Sequence, residues 1–377
     1  MSQNSGLNQI NMTEETSQKT DLKSLTKSEL TAFCSEIGLQ SYRADQMYQW
    51  LYQKGISEFS EMTNLSKDLR AKLPKIATLN RLSLVNRQQS KDGTIKYLFE
   101  LTNGGRIESV LIPDFDDSGN PKRLTVCVSS QVGCVFGCSF CATGKMGFFD
   151  HLTHGQIVDQ VQFIHREAKY IYNRGITNVV YMGMGEPLHN YKSVMTSADI
   201  ITDELGLDLS PKRITISTVG LTKQIKKWAD ERLPYNLAIS LHAADDQKRN
   251  QIMPVNESMN LEALKEAVVY YFNTMHKPIT YEYLLFRDFN DHIEDAHKLS
   301  SIVHWAPSKV NIIMYNPVEG VTLSGASETK LDQFMQTLVE QDVTATVRRS
   351  RGDDIDAGCG QLAIRDGKKR GKTITNK

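Results

Sequence analysis

The chain has 377 residues, of which 40% are hydrophobic and 23% are charged, ordinary proportions for a globular protein. Lys and Arg together number 44, as do Asp and Glu, so RNA or DNA binding would have to depend on local patches instead of overall charge. The first residues lack a secretory leader and no apolar run reaches the roughly 20 residues of a membrane helix, so we expect a cytoplasmic protein that does not enter a membrane.

The chain opens with a polar segment followed by helical periodicity. Residues 1–21 are rich in Ser, Thr, Asn and Gln, which predicts a disordered tail. Residues 22–100 are predicted to hold a small helical accessory domain, with Ser28 as a candidate helix cap and Gly55 as a candidate terminator. Its basic and aromatic residues, including Tyr48 and Tyr52, favour RNA contact and core packing about equally.

Strand-like runs then alternate with amphipathic helical segments. The runs TIKYLFEL and RIESVLIP come first, and the second lies in a strand segment that covers residues 101–119. Seven further runs between residues 120 and 354 are LTVCVS, NVVYMGMG, RITISTVG, NLAISLHA, ITYEYLLF, KVNIIMYN and TATVRRS. This alternation predicts an α/β fold, a partial (β/α)6-type barrel with an N-terminal helical domain. Residues 355–377 are predicted to form a loop carrying Cys359 and a basic tail.

Polar and glycine residues gather where these strands end. The strand ends carry Gly183, Gly185 and Glu186, then Ser217 and Thr218 before Gly220, then Ser240 and His242 with Leu241 between them, and finally Asn316. Because parallel strands of a barrel end at one edge, these residues predict a binding site for a polar small molecule there.

Three cysteines follow the first barrel strand with the spacing C-x3-C-x2-C: Cys134, Cys138 and Cys141. In a reducing compartment, such clustered thiols favour metal binding over disulfides. Zinc would need a fourth ligand, for which His151 and His154 are candidates. A [4Fe–4S] cluster held by three thiolates leaves one iron open, and S-adenosylmethionine offers an amino and a carboxylate group to that iron.

The motifs around these cysteines resemble those of the RlmN/Cfr family of radical S-adenosylmethionine RNA methyltransferases. The similar segments are CVSSQVGC, GCVFGCSFCATG, GMGEP, ISTVG, SLHA, MPVN and RGDDIDAGCGQL. The resemblance implies a [4Fe–4S] cluster on Cys134, Cys138 and Cys141, and S-adenosylmethionine bound by the residues at the strand ends. It covers nearly the whole chain after the polar tail.

The resemblance also implies roles for the other polar residues. Cys359 would accept a methyl group from one S-adenosylmethionine, and a radical made from a second would activate that methyl for addition to adenine. Glu108 would act as the general base, and Cys127 would attack the Cys359 sulfur, leaving a disulfide. The family commonly has Ala-Ala-Cys where this chain has Ala357-Gly358-Cys359.

The substrates follow from the same resemblance. It favours methylation of C2 of adenine 2503 in 23S rRNA and of adenine 37 in tRNAs over the Cfr-type reaction at adenine C8. We expect a monomer that receives electrons from a reducing system such as flavodoxin. A zinc-binding RNA-interaction protein without catalysis is the alternative from another class.

Overall fold

In the computed structural model, which describes residues 19–349 and 351–355, strands and helices alternate along most of the chain. The strands are β1 (Thr20–Asp21), β2 (Ala77–Thr78), β3 (Ser83–Gln89), β4 (Ile95–Glu100), β5 (Arg106–Phe115), β6 (Pro121–Cys127), β7 (Gln131–Gly133), β8 (Phe148–His151), β9 (Asn178–Tyr181), β10 (Ile214–Thr218), β11 (Asn236–Ser240), β12 (Ile279–Leu285), β13 (Ser308–Met314) and β14 (Ala345–Arg348). The α-helices are α1 (Lys27–Glu36), α2 (Tyr42–Gln49), α3 (Lys67–Ile76), α4 (Ala142–Met146), α5 (His154–Tyr172), α6 (Tyr191–Thr202), α7 (Thr222–Asp230), α8 (Asp246–Ile252), α9 (Leu261–Met275), α10 (Ile293–Val303) and α11 (Glu328–Glu340).

The N-terminal module consists of α1, α2 and α3. Helix α1 is capped by Thr26, whose hydroxyl accepts the Glu29 amide while the Glu29 carboxylate accepts the Thr26 amide. The prediction that Ser28 is the cap is wrong, because the helix begins two residues earlier, where this reciprocal pair satisfies the free amides of the first turn. Gly55 ends the π-helical turn after α2 with a φ of 65°, which confirms it as the terminator.

Ten strands form one sheet in the order β14-β13-β12-β11-β10-β9-β6-β5-β4-β3. Within this sheet, β6 and the strands from β9 to β14 pair in parallel, and β3, β4, β5 and β6 pair in antiparallel fashion. All seven predicted barrel strands are confirmed, as is the partial (β/α)6-type barrel. Residues 83–100, which the sequence analysis assigned to the helical domain, form β3 and β4 and join this sheet.

Buried polar contacts fasten the N-terminal module to α5. Lys23, only 2% exposed, forms an ion pair with Asp159 and lies 3.3 Å from the Gln162 side-chain oxygen. The Gln162 amide donates to the main-chain oxygens of Leu51 and Tyr52, at 2.9 and 2.6 Å. The module is thus joined to the barrel by satisfied hydrogen bonds at the barrel's first long helix.

Among the helices that the structure describes, none is long and apolar enough to cross a lipid bilayer.

Candidate active site

Helices cover one face of the sheet, so we expect the active-site side chains on the opposite face. The Ser109 hydroxyl contacts Gln160 of α5 at 2.6 Å, and the Tyr181 hydroxyl contacts Ser197 of α6 at 2.8 Å. Side chains alternate along a strand, and directly paired residues share a face. We call the face turned away from these helices the inner face. By this register it carries Lys96, Glu108, Cys127, Ser217, Ser240, Glu282, Asn311 and Arg348.

Cys127 ends β6 on the inner face, beside Val110 of β5. Burial raises the pKa of its thiol to about 11, with Glu108 adding to the rise and Arg348 and Lys96 opposing it. The thiol is therefore neutral near pH 7 until something removes its proton.

Glu108 lies in the middle of β5 and is only 3% exposed. Its carboxylate is 3.7 Å from the ammonium of Lys96, which is itself fully buried. Its amide donates to the Met184 sulfur at 3.3 Å, and its carbonyl accepts the Ser129 hydroxyl at 2.5 Å. These contacts fix the backbone at Glu108 to the loops that leave β6 and β9.

Gly185 and Glu186 follow β9 and lie against Gln131. Gly185 has a φ of 93°, and a Cβ there would stand 2.5 Å from the Cβ of Gln131. Only glycine fits that position without displacing its neighbour. The Glu186 amide donates to the Gln131 side-chain oxygen at 2.8 Å, so the glycine sets the approach of the two segments.

The Glu186 carboxylate is buried and held by main-chain amides. It accepts the amide of Leu188 at 3.0 Å and that of Val219 at 2.9 Å. Burial nevertheless raises its pKa to about 7. A carboxyl that titrates near neutrality gains most from a ligand cation, such as an ammonium group.

Ser217, Ser240 and Leu241 lie at the ends of β10 and β11. The Ser217 hydroxyl donates to the Tyr181 carbonyl at 2.7 Å. Leu241 is fully buried, so its side chain contributes packing, and its carbonyl accepts from Arg249 at 3.1 Å. Arg249 of α8, which is 1% exposed, also donates to the Val219 carbonyl at 2.7 Å and ties the two strand ends together.

His242 follows β11 in a left-handed conformation, with a φ of 56°. Its Nδ1 accepts the amide of Leu284 at 3.1 Å, so the neutral ring carries its proton on Nε2. Burial lowers the pKa of the ring to about 3, which keeps it neutral. The Asn290 side chain donates to the His242 carbonyl at 2.8 Å and holds the unusual backbone.

Known families match both parts of this chain. Residues 20–79 match the family described as ribosomal RNA large subunit methyltransferase N-terminal domain, and residues 128–299 match the radical SAM superfamily. A protein from Salinibacter ruber named probable dual-specificity RNA methyltransferase RlmN is 52% identical over 347 residues, which is 92% of this chain and 94% of the relative. The chain belongs to the RlmN family of radical S-adenosylmethionine RNA methyltransferases.

Further relatives agree with this membership. A Campylobacter concisus protein named dual-specificity RNA methyltransferase RlmN is 46% identical, over 88% of each chain. The crystal structure of a radical SAM methyltransferase from Sphaerobacter thermophilus superposes with a TM-score of 0.84 at 39% identity, covering 91% of this chain and 98% of that one. The protein is therefore a radical S-adenosylmethionine RNA methyltransferase, as the sequence motifs predicted.

The loop that carries Cys134, Cys138 and Cys141 suits the iron–sulfur cluster that membership of the radical SAM superfamily implies. Burial raises the pKa of all three thiols, that of Cys134 to about 11, and the negative charges of Cys134 and Cys141 further raise that of Cys138. Thiolates so close together and so poorly solvated need a cationic partner, and soft thiolate sets select iron–sulfur clusters or zinc. The absence of a side chain at Gly144 lets the Cys138 backbone pack close to it, because a Cβ at Gly144 would lie 3.0 Å from the Cys138 nitrogen and oxygen.

The described residues do not form a site for a single metal ion. In residues 19–349 and 351–355, no three His, Cys, Asp or Glu side chains converge where one ion could bind. His154 instead hydrogen-bonds the backbone of Leu25, and His151 contacts the Gln131 side chain at 3.1 Å. A cubane cluster binds each thiolate at a different iron atom, so its cysteines need not converge on one point.

The structure thus brings most of the predicted residues to one edge of the sheet. Gly185, Glu186, Ser217, Ser240, Leu241 and His242 lie at or just beyond the carboxyl ends of β9, β10 and β11. Asn316 follows β13, and Glu108 and Cys127 lie on the inner face. Cys359 and its loop are outside the described residues.

The sequence analysis missed three charged residues at this site: Lys96, Arg249 and Glu282. Glu282 is 4% exposed and is bound by Asn311 at 2.8 Å and by Arg348 at 3.3 Å. Arg249 lies in helix α8, where no local pattern marks it, but Lys96 and Glu282 lie in runs that were correctly identified as strands. A charged residue at an inward position of an apolar strand was the available signal. Tyr48 and Tyr52, conversely, are 3% and 0% exposed, which leaves them to core packing instead of RNA contact.

Proposed function

We propose that this protein methylates C2 of adenine 2503 in 23S rRNA and of adenine 37 in tRNAs, using two S-adenosylmethionine molecules for each methyl group transferred. The observation that carries the proposal is the placement of Glu108 and Cys127 on one inner face, beside the strand ends of a radical S-adenosylmethionine barrel. A carboxylate and a thiol in that arrangement would provide a base for the substrate carbon and a nucleophile for the Cys359 sulfur that carries the methyl group.

The strand ends would hold the cofactor. A [4Fe–4S] cluster on Cys134, Cys138 and Cys141, when bound, supplies the one-electron chemistry that generates a radical from S-adenosylmethionine. Glu186 would bind the methionine ammonium, which suits a buried carboxyl with a pKa near 7. Gly185, Ser217, Ser240, Leu241, His242 and Asn316 would line the rest of the site, with His242 offering a neutral Nε2–H donor.

The chain's own residues would carry the methyl carbon and the proton. Cys359 would hold the methyl group and form the carbon–carbon link to adenine C2. Glu108 would take the proton from C2, because its carboxylate lies on the inner face of β5, the strand that pairs directly with β6 and Cys127. Cys127 would then bond to the Cys359 sulfur as the link to the carbon breaks, and an external reductant would restore both thiols.

The burial of Cys127 fits this order of events. With its thiol pKa near 11, Cys127 stays protonated and unreactive while other steps proceed. Premature disulfide formation would remove the methyl carrier. We further propose that the protein works as a cytoplasmic monomer and that flavodoxin or a similar donor supplies its electrons.

The decisive experiment measures the intact mass of anaerobically purified protein with and without Cys359→Ala. We expect a species heavier by about 14 Da, one added methylene, that disappears in the variant. Cys34→Ala is the matched control, because Cys34 is fully buried in the N-terminal module and should leave the methyl mark unchanged.

Product analysis of methylated RNA then tests the position. 2-Methyladenosine in the rRNA and tRNA digests is the expected product. An unmodified Cys359 after incubation with S-adenosylmethionine would refute the methyl relay, and 8-methyladenosine would show the Cfr-type reaction instead.

A further inference from the structure

Lys96 is an unusual residue for the middle of a strand. Its side chain is fully buried on β4, and its ammonium is 3.7 Å from Glu108 Oε1 on β5. A buried ammonium is retained only where an anion compensates it, because water no longer solvates the charge. Lys96 and Glu108 are therefore a matched pair in the interior of the site.

Strand register ties this pair to Cys127. Lys96 pairs with Val110, and Val110 pairs in turn with Cys127, so all three side chains share the inner face. Glu108 pairs with Leu98 and lies diagonally across from Lys96. The lysine and the thiol thus stand on either side of β5, the strand that presents the carboxylate.

Glu186 shows what happens to a buried carboxyl that is held by amides without a lysine. Burial raises its pKa to about 7, although it accepts two main-chain amides. Glu108 is buried to the same extent, but a cation lies beside it. An opposite charge at this distance favours the ionised form of a carboxyl.

Within the described residues, Arg348 and Cys127 are the other titratable or charged groups that the Cys127 environment brings near Lys96 and Glu108. The positive charge of Arg348 on β14 lowers the pKa of Cys127, but the Arg348 guanidinium forms an ion pair with Glu282 of β12 at 3.3 Å. The Cys127 thiol is neutral near pH 7 and contributes no charge there. Lys96 on the neighbouring strand is the cation whose contact with the Glu108 carboxylate the structure records directly.

We propose that Lys96 is a positioning residue that keeps the Glu108 carboxylate ionised and aimed along the inner face toward the substrate carbon. This inference rests on the proposed role of Glu108 as the general base. In the step concerned, a proton moves from adenine C2 to a Glu108 oxygen, the C–H electron pair stays with the substrate, and Lys96 takes no part in the proton transfer. Without Lys96, the ionised form of the carboxyl would lose the cation that stabilises it, and a protonated carboxyl cannot accept a second proton.

The test follows release of RNA from the covalent protein–RNA adduct under single-turnover conditions across pH. Lys96→Met should shift the acidic limb of the rate profile upward by about one pH unit or more, with the lost rate recovered at high pH. Lys96→Arg, which keeps the charge, should leave the acidic limb of the rate profile at the same pH as in the wild-type protein. Methylation of Cys359 should be unchanged in both, because it precedes proton removal. Lys96→Gln serves as a second neutral variant should Lys96→Met fail to fold.

Lys23→Met is the matched control, since it also breaks a buried lysine–carboxylate pair but lies at the N-terminal module. It should lower thermal stability and leave the acidic limb in place. An unshifted limb in folded Lys96→Met or Lys96→Gln protein would overturn the inference about Lys96 alone. If Glu108→Gln fails to accumulate the adduct, the base assignment itself is wrong, whatever the Lys96 variants do.

Discussion

Two buried lysine–carboxylate pairs, Lys23–Asp159 and Lys96–Glu108, have the same chemistry but different surroundings. Lys23 also contacts Gln162, and its main-chain oxygen accepts the Tyr52 hydroxyl at 3.1 Å, so this pair lies in a closed contact between two parts of the fold. The Lys96 pair instead shares the inner face with the Cys127 thiol.

The difference teaches that a buried charge does not by itself identify a catalytic group. Both pairs exclude water, and both need their partner for charge balance. The two pairs differ in their neighbours: the Lys23 pair is packed against Gln162 and Tyr52, and the Lys96 pair shares the inner face with the thiol of Cys127. Function is therefore inferred from what a buried pair faces.

Lys23→Met should give the largest change in stability. Removing one partner leaves the Asp159 carboxylate buried without its cation, which costs about 3–5 kcal/mol of unfolding free energy. Denaturant unfolding measures the loss. The double variant Lys23→Met/Asp159→Leu should recover most of it, because no charge is then left without compensation. An unchanged midpoint in the single variant would contradict the anchoring role of the pair.

Glu186 extends the comparison, because it is a buried carboxyl that is held by hydrogen bonds from Leu188, Val219 and Thr218 and not by a lysine. As the pH rises through about 7 the carboxyl ionises, so affinity for S-adenosylmethionine should rise over that range. Glu186→Gln should bind about tenfold more weakly above pH 8, a loss of about 1.4 kcal/mol, and show no such rise. Equilibrium binding under anaerobic conditions measures both.

Stability should move the other way with pH. Because folding raises the pKa of Glu186, its contribution to stability is present below the ordinary pKa and is lost as the pH rises through about 7. Unfolding of the cofactor-free protein should show this decline, and Glu186→Gln should flatten it. A variant that keeps the pH dependence of both binding and stability would show that another group is responsible.

Local patterns in the sequence were sufficient for the barrel strands and the residues at their ends. Each strand is an apolar run of its own, and parallel strands end at one edge whatever their order, so Glu186 and Ser240 could be placed without a structure. Strand β3 was missed because SLVNRQQ is mostly exposed and polar, and it is a strand only because it pairs with β4. The capping box of Thr26 and Glu29 was visible in the sequence but was passed over for Ser28.

The pairing of charged residues could not be predicted from the sequence, for a different reason. Lys96 and Glu108 are twelve positions apart on neighbouring strands, and their contact depends on the β4–β5 register. Arg249 is buried because it donates hydrogen bonds to the ends of two strands, β10 and β11, which no local pattern records. Tertiary register decides such contacts, so the sequence alone supports a list of candidate residues but not their pairing.

A hairpin turn beside the Lys96 strand gives the prediction with the smallest effect. Asp92, between β3 and β4, accepts the amide of Gly352 at 2.9 Å, and the Lys91 amide donates to Asp354 at 3.3 Å. Burial opposes ionisation of Asp92, but the amides of Thr94 and Gly352 prevail and lower its pKa, so the contact is lost only in acid. Asp92→Ala should weaken this attachment by about 1 kcal/mol.

Hydrogen exchange of the Gly352 amide measures that weakening, with a few-fold faster exchange expected in Asp92→Ala. Asp117→Ala, in the exposed turn between β5 and β6, is the control and should leave exchange at Gly352 unchanged. Because residues 351–355 lead directly to Cys359, the same variant should also lower methyl occupancy of Cys359 a few-fold if the attachment positions that loop. Faster exchange with full methyl occupancy would mean that the hairpin turn stabilises residues 351–355 without positioning Cys359. Lys96 would then be the one residue of this hairpin that we propose to act in the reaction.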